Sequence, residues 1–223
     1  VGELLAFVVA SNFNFKTFTE KKSCFSNKLD KEIGVKQFNL MDDPHRPGGI
    51  GTKSIDDEGV ETQKKYFVEK GIFKNTFSNL FDGYKEGVQS TGNASRPGSP
   101  MGRSSEPIPV SLPHNLKIDS GDTSQEDMIK DTKRGLLVGR LWYTYAVNPI
   151  KGDFSCTARS GIRVIENGEI KNPGKTVRII HNLPTMLKNI SEIGNNQRNV
   201  IQWASLPSIT PSIKVENITV NSI

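Results

Sequence analysis

The chain opens on an apolar run, "VGELLAFVVASNF", in which residues 4 to 10 carry no charge. Apolar side chains fall nearly all round a helical wheel over residues 2 to 10, which predicts a buried helix rather than an amphipathic surface one. The run is far too short to span a bilayer, and no basic flank precedes it as a secretory signal would require. Because it begins at Val1 as though a helix were already under way, the expectation is a C-terminal part of a longer chain. A stretch with Phe13, Phe15 and Phe18 follows, then a predicted short helix around Ser26 to Ile33 and a strand from Lys36 to Met41.

Two later segments echo each other, "KYFVEKGIFKNTF" (65 to 77) and "GIRVIENGEIKN" (161 to 172). Each sets an apolar strand before Lys-Gly or Asn-Gly and a second strand after it. A two-residue primed turn needs positive φ at both central residues, so both segments predict β-hairpins. Residues 90 to 113 hold five prolines and three glycines, too many for a helix or an inner strand, and read as a loop, either plain surface or beside a binding groove.

A helix is expected over Asp119 to Val138, capped by Thr123 or Ser124, with Glu126 and Asp127 in its first turn and Met128, Ile129, Leu136 and Leu137 on its apolar positions. Lys133 and Arg134 would close it. "PTMLKNISEIG" (184 to 194) predicts another, with Pro184 near its start, Met186, Leu187, Ile190 and Ile193 on one face, and Gly194 at its end. "SIKVENITV" alternates as a final strand. Hairpins and helices without a βαβ rhythm give an α+β fold, a mixed and mostly antiparallel sheet with packed helices.

Composition narrows the function. With 223 residues, 35% hydrophobic and 24% charged, the chain can bury a sizeable core. Its formal charge is +5, but the basic residues are scattered, the longest clusters being pairs such as Lys21-Lys22 and Lys64-Lys65. Phosphate backbones are met by concentrated basic patches, so the pattern argues against a nucleic-acid role. The two cysteines, Cys24 and Cys156, form no metal or redox motif and suit a reducing cytoplasm.

One stretch concentrates candidate chemistry: "DDPHRPGGIGTKSIDDEG", Asp42 to Gly59, with five carboxylates and His45. Its spacing matches neither a calcium loop nor a zinc motif, and the triplets on either side of the Pro-Gly-Gly turn could as well point apart. Asp56 to Gly59 reads most simply as a turn. His114 and His181 are solitary, no short motif joins either cysteine to a histidine, and phosphate, dinucleotide and serine-hydrolase motifs are absent. No metal, cofactor or self-contained catalytic set emerges.

Taken together, "DDPHRPGGIGTKSIDDEGVETQ", "VEKGIFKNTFSNLFDGYKEGVQSTGNA", "KRGLLVGRLWYTYAVNPIKGDFS", "SGIRVIENGEI" and "PTMLKNISEIGNN", in that order, resemble the TldD and PmbA (TldE) family. The resemblance covers roughly residues 40 to 196 and weakens at both ends. It implies that residues 1–223 form the family's C-terminal domain of mixed helix and sheet, without its N-terminal domain. It further implies a cytoplasmic zinc metalloprotease, assembled from TldD-type and TldE-type chains, that degrades small or unfolded peptides.

In the TldD type a buried helix carries H-E-x-x-x-H, two histidines binding zinc and a glutamate acting as general base. Matched without gaps, Ala6 and Phe7 stand at the His-Glu pair and Ser11 at the second histidine; the first 44 residues contain no histidine. The further cysteine ligand expected near the end is missing as well, since no cysteine follows Cys156.

The resemblance therefore points to the PmbA/TldE type, a non-catalytic subunit that pairs with a TldD-type chain, or with itself as a homodimer, and closes a shared cavity over peptide. Carried over as matching motif positions, the groove or interface candidates are Asp57, Glu58, Gly59, Thr91, Gly92 and Asn93, each with a competing structural role in a turn. Two alternatives stay open: a peptidase with an unrecognised site around Cys156 and His181, and association with gyrase or DNA.

Overall fold

A computed structural model describes residues 1–96, 109–202 and 206–222. The opening segment is helical as expected and changes pitch twice, from an α turn at Gly2–Leu4 through a π turn at Leu5–Val9 to a 3-10 turn at Ala10–Phe13. Leu5, Val8, Val9, Ala10 and Phe13 are buried in the main core. Phe13 is the hub, its ring centroid lying 5.2 Å from Phe73 and 5.8 Å from both Phe25 and Phe67. Edge and offset contacts of this kind add to simple area burial.

A six-stranded sheet covers that core, in the order 198–200, 208–210, 116–118, 40–42, 65–69 and 72–73. Its ladders are antiparallel except where Ser208 and Ile209 run parallel to Leu116 and Lys117. A four-stranded antiparallel sheet, in the order 220–222, 177–182, 153–160 and 140–148, packs Phe154, Cys156 and Ile179 on the same core. The observed fold is thus α+β with mostly antiparallel sheets.

Both predicted hairpins are present. Val68 pairs with Phe73 around Lys70 and Gly71 at φ 49° and 75°, and Glu166 pairs with Glu169 around Asn167 and Gly168 at φ 50° and 80°. Short helices at Phe15–Thr19, Leu80–Lys85, Gln125–Lys130 and Leu183–Lys188 each start at a polar cap, Asn14, Asn79, Ser124 and Asn182, whose side chain accepts a backbone N–H in the first turn.

Four expectations need correction. No helix forms over Ser26 to Ile33; successive turns run there, and Asp30 at φ 58° breaks any helical path while Phe25 and Ile33 still reach the core. The strand expected over 36 to 41 is Leu40–Asp42, because Val35 to Phe38 form a turn. The helix expected to Val138 ends at Lys130, and Arg134–Leu137 becomes a strand beside Arg163–Glu166. Gly135 weakens a helix interior, and the adjacent hairpin offers a ladder instead. Similarly the 184 to 194 helix stops at Lys188, and Ile190–Ile193 pairs with Ile213–Val215, burying Ile190 and Ile193 from a strand.

The C-terminal stretch forms two strands, Ile213–Val215 and Val220–Ser222, in different sheets, with Asn217 at φ 57° between them. The long hairpin of Arg140–Asn148 and Asp153–Ser160 was not anticipated from the pattern. Of the Pro/Gly-rich stretch, residues 97–108 lie outside the described residues, so its reading as a groove-side loop is not addressed; its ends meet where Ala94–Ser95 pairs with Val110–Ser111.

Candidate functional site

The acid-rich stretch and the Thr91-Gly92-Asn93 motif come together. Asp42, fully buried at the end of its strand, accepts hydrogen bonds at Oδ1 from the backbone N–H groups of His114 and Asn115, both at 2.9 Å. Its Oδ2 accepts from Asn93 Nδ2 at 2.7 Å. From the far side of the Pro-Gly-Gly turn, Asp56 Oδ2 accepts from Ala94 N–H at 2.9 Å, while its Oδ1 takes Glu58 and Val60 N–H groups, each at 2.9 Å. The two acidic triplets thus grip adjacent residues of one segment.

Each predicted candidate has a place in this knot. Asp57 N–H donates to Ala94 O at 3.2 Å, and its carboxylate accepts Arg96 N–H at 2.8 Å and meets Lys53 Nζ at 3.1 Å. Glu58 Oε2 accepts the Leu80 N–H at 2.6 Å, at the start of the Leu80–Lys85 helix, where negative charge complements the helix dipole. Thr91 Oγ1 accepts from Ser78 N–H at 2.7 Å and donates to Asn93 Oδ1 at 2.9 Å. Gly59 turns at φ 81° in open space, whereas a Cβ on Gly92, at φ 68°, would lie 2.3 Å from Glu61 O.

Three participants carry no sequence signal. Lys65 Nζ donates to Thr91 O at 2.7 Å and Asn93 Oδ1 at 2.5 Å, and burial lowers its pKa to about 8 against the opposing pull of Asp42 and Asp56. His114 Nε2 lies 2.7 Å from Gly92 O, which requires the proton on Nε2, and burial lowers its pKa. Asn115 ties Gly51 N–H, Asp43 O and Thr52 Oγ1 together. His114 and Asn115 sit far from the acidic stretch in sequence, and pairing of the 40–42 strand with both 65–69 and 116–118 brings them and Lys65 to it.

Chemically, the Asp42 and Asp56 carboxylates are committed as acceptors to backbone and amide N–H donors, while Asp57 also meets the Lys53 ammonium. His45 Nε2 meets Thr62 Oγ1 at 3.0 Å, and that hydroxyl in turn donates to Lys53 O. Among the described residues no group of three His, Cys, Asp or Glu side chains is placed to hold a metal ion.

Neither cysteine is activated as a thiolate by its surroundings. Burial pushes Cys24 up to about 12 and Cys156 up to about 11, and lowers His181, the reverse of a thiolate and imidazolium pair.

The family model described as PmbA/TldA metallopeptidase C-terminal domain matches residues 1–222. The chain belongs to this family. Metalloprotease PmbA of Escherichia coli O157:H7 is 31% identical over 198 residues, covering 87% of this chain and 39% of that protein. A metalloprotease TldD homolog of Buchnera aphidicola is 28% identical over 213 residues, covering 89% and 41%.

Among solved structures, TldE from Thermococcus kodakarensis superposes with a TM-score of 0.83 at 29% identity, over 97% of this chain and 47% of that one. A Thermotoga maritima protein described as a proposed modulator of a DNA gyrase gives 0.79 at 28% identity, over 99% and 47%. The chain therefore spans less than half the length of these relatives.

The PmbA/TldA description as a metallopeptidase implies a metal, and the opening helix can be tested for it. A π turn closes i to i+5 hydrogen bonds, and here Ala10 N–H donates to Leu5 O. Ala6 lies within that turn, whereas Ser11 lies beyond it in the 3-10 segment and is exposed. Ala6 and Phe7 pack against the core, and the Ser11 hydroxyl donates to Val8 O at 3.4 Å. None of these side chains is an imidazole, thiolate or carboxylate, so they do not fit zinc. No helix among the described residues is long and apolar enough to cross a membrane.

Proposed function

We propose that this chain is a PmbA/TldE-type, non-catalytic subunit that pairs with a TldD-type metallopeptidase chain in the cytoplasm and helps enclose its peptide substrate. One observation carries the reading: the buried opening helix is present, while Ala6, Phe7 and Ser11 offer neither an imidazole nor a carboxylate. The family relationship supports the class of reaction.

In this reading the Asp42–Asn93–Lys65 knot is a rigid support. It backs Asp57, Glu58, Gly59 and Thr91 as a fixed rim, with Gly92 and Asn93 buried behind them, and strand addition by an extended peptide beside such a rim would use backbone hydrogen bonds and tolerate many sequences. The alternative of a thiol peptidase at Cys156 draws no support from a thiol whose pKa is pushed to about 11.

The test is zinc content by mass spectrometry together with peptide cleavage, for the chain alone and mixed with a TldD-type chain from the same cell. Zinc and cleavage confined to the mixture are expected. About one zinc held per molecule by this chain alone would overturn the proposal.

A further inference from the structure

The four-stranded sheet turns one face to the core and the other outward. On the outer face Arg178 Nε donates to Ser155 Oγ at 2.7 Å, its Nη1 to Thr157 Oγ1 at 2.9 Å and its Nη2 to the Tyr145 hydroxyl at 2.5 Å. Its guanidinium also lies 5.2 Å from the Tyr145 ring centroid. Beside it, Arg140 lies 4.0 Å and Arg159 5.8 Å from the Trp142 ring centroid.

A β-bulge produces this array. Trp142 pairs with Thr157 and Tyr145 with Ser155, so three steps on one strand match two on the other, and Tyr143 takes φ 49°. The extra residue lets Trp142 and Tyr145, which strict alternation would send to opposite faces, point the same way. Tyr145 remains 49% exposed and Ile180, cross-strand from Ser155, 55% exposed.

The charge on this face is unanswered within the sheet. Its strands contain three arginines, no lysine and no glutamate, and the one aspartate, Asp153, is taken by Asn182 at 2.9 Å. Glu3 of the opening helix feels Arg140 electrostatically, but no ion pair joins them among the described residues. Arginine, tyrosine and tryptophan without lysine is the composition of a protein-binding hot spot, and the aliphatic Ile180 suits a protein better than a nucleic acid. A two-fold contact with a second copy would set arginines against arginines.

We propose that this arginine-aromatic face docks a protein surface that presents carboxylates among apolar side chains, and that this surface belongs to the TldD-type partner chain. The proposal rests on the pairing reading above, and deepens it by assigning the face and the chemistry of its counterpart.

The experiment is titration calorimetry of this chain against the TldD-type chain from the same cell, at low and high salt. Wild type is compared with Arg159→Glu, with Ile180→Glu and with Lys31→Glu as an exposed charge reversal elsewhere. Circular dichroism checks that each variant folds. Binding weakened about tenfold or more by the first two substitutions, weakened by salt and unmoved by the third, is expected.

Wild-type binding that all three variants retain would overturn the assigned face and leave the pairing intact. Absence of wild-type binding would overturn the pairing reading itself, and this inference with it. A homodimer that Arg159→Glu dissociates, or single-stranded oligonucleotide binding that it abolishes, would give the face to another occupant and refute the proposal.

Discussion

Asp42 and Asn93, 51 positions apart, are joined carboxylate to amide at 2.7 Å, and both side chains are wholly buried. This bond locks the first strand of the acidic stretch to the Thr-Gly-Asn motif. Asp42→Ala would strand three buried donors, the N–H groups of His114 and Asn115 and the Asn93 amide. A loss of about 3 to 5 kcal/mol is expected from the urea midpoint, given roughly 1 to 3 kcal/mol for each unsatisfied group after partial relaxation. Asp42→Asn should cost less, since Oδ1 can still accept while its amide faces that of Asn93.

Gly59 and Gly92 separate two costs of adding a methyl group. Both have positive φ, but only Gly92 has backbone atoms, Glu61 O at 2.3 Å and Thr62 Cα at 3.0 Å, where a Cβ would sit. Gly59→Ala should cost about 1 kcal/mol, the left-handed penalty alone. Gly92→Ala should cost clearly more, and thermal melts of the two variants side by side measure the difference.

Lys65 gives the fold an alkaline signature. Its folded pKa, about 8, lies below the 10.5 of an ordinary lysine, so between those values the unfolded chain holds a proton that the folded chain has released. Stability must then rise with pH across that window, by up to about 3 kcal/mol, and the penalty of the buried charge is fully present below pH 8. Lys65→Met should remove this contribution, seen as a flatter difference curve in denaturant titrations between pH 8 and 10.5.

Both thiols should resist modification. With Cys156 at 1% exposure and both pKa values raised, to about 12 for Cys24 and about 11 for Cys156, thiolate is scarce at neutral pH. A chromogenic disulfide reagent at pH 7.5 should react slowly with the folded chain and rapidly with both cysteines in denaturant. Fast reaction of one thiol in the folded chain would contradict the burial described.

The sequence by itself determined the α+β class, the buried opening helix, both primed-turn hairpins and the starts of the helices near Ser124 and Pro184. These are local: a period, a cap or a pair of residues tolerating positive φ decides each of them. The missing imidazoles at Ala6 and Ser11 were equally legible, because an absent ligand needs no geometry to recognise.

Tertiary structure alone decided the rest. Leu136 and Ile190 read as helix and lie in strands, since the 163–173 hairpin for one and the Ile213–Val215 strand for the other supplied ladders whose hydrogen bonds outweigh weak local propensity. The purpose of the acid-rich stretch was hidden for the same reason. Asp42 acquires its donors, and Lys65 its depressed pKa, only when strands distant in sequence pair and exclude water, for a carboxylate's role depends on which N–H groups face it after folding.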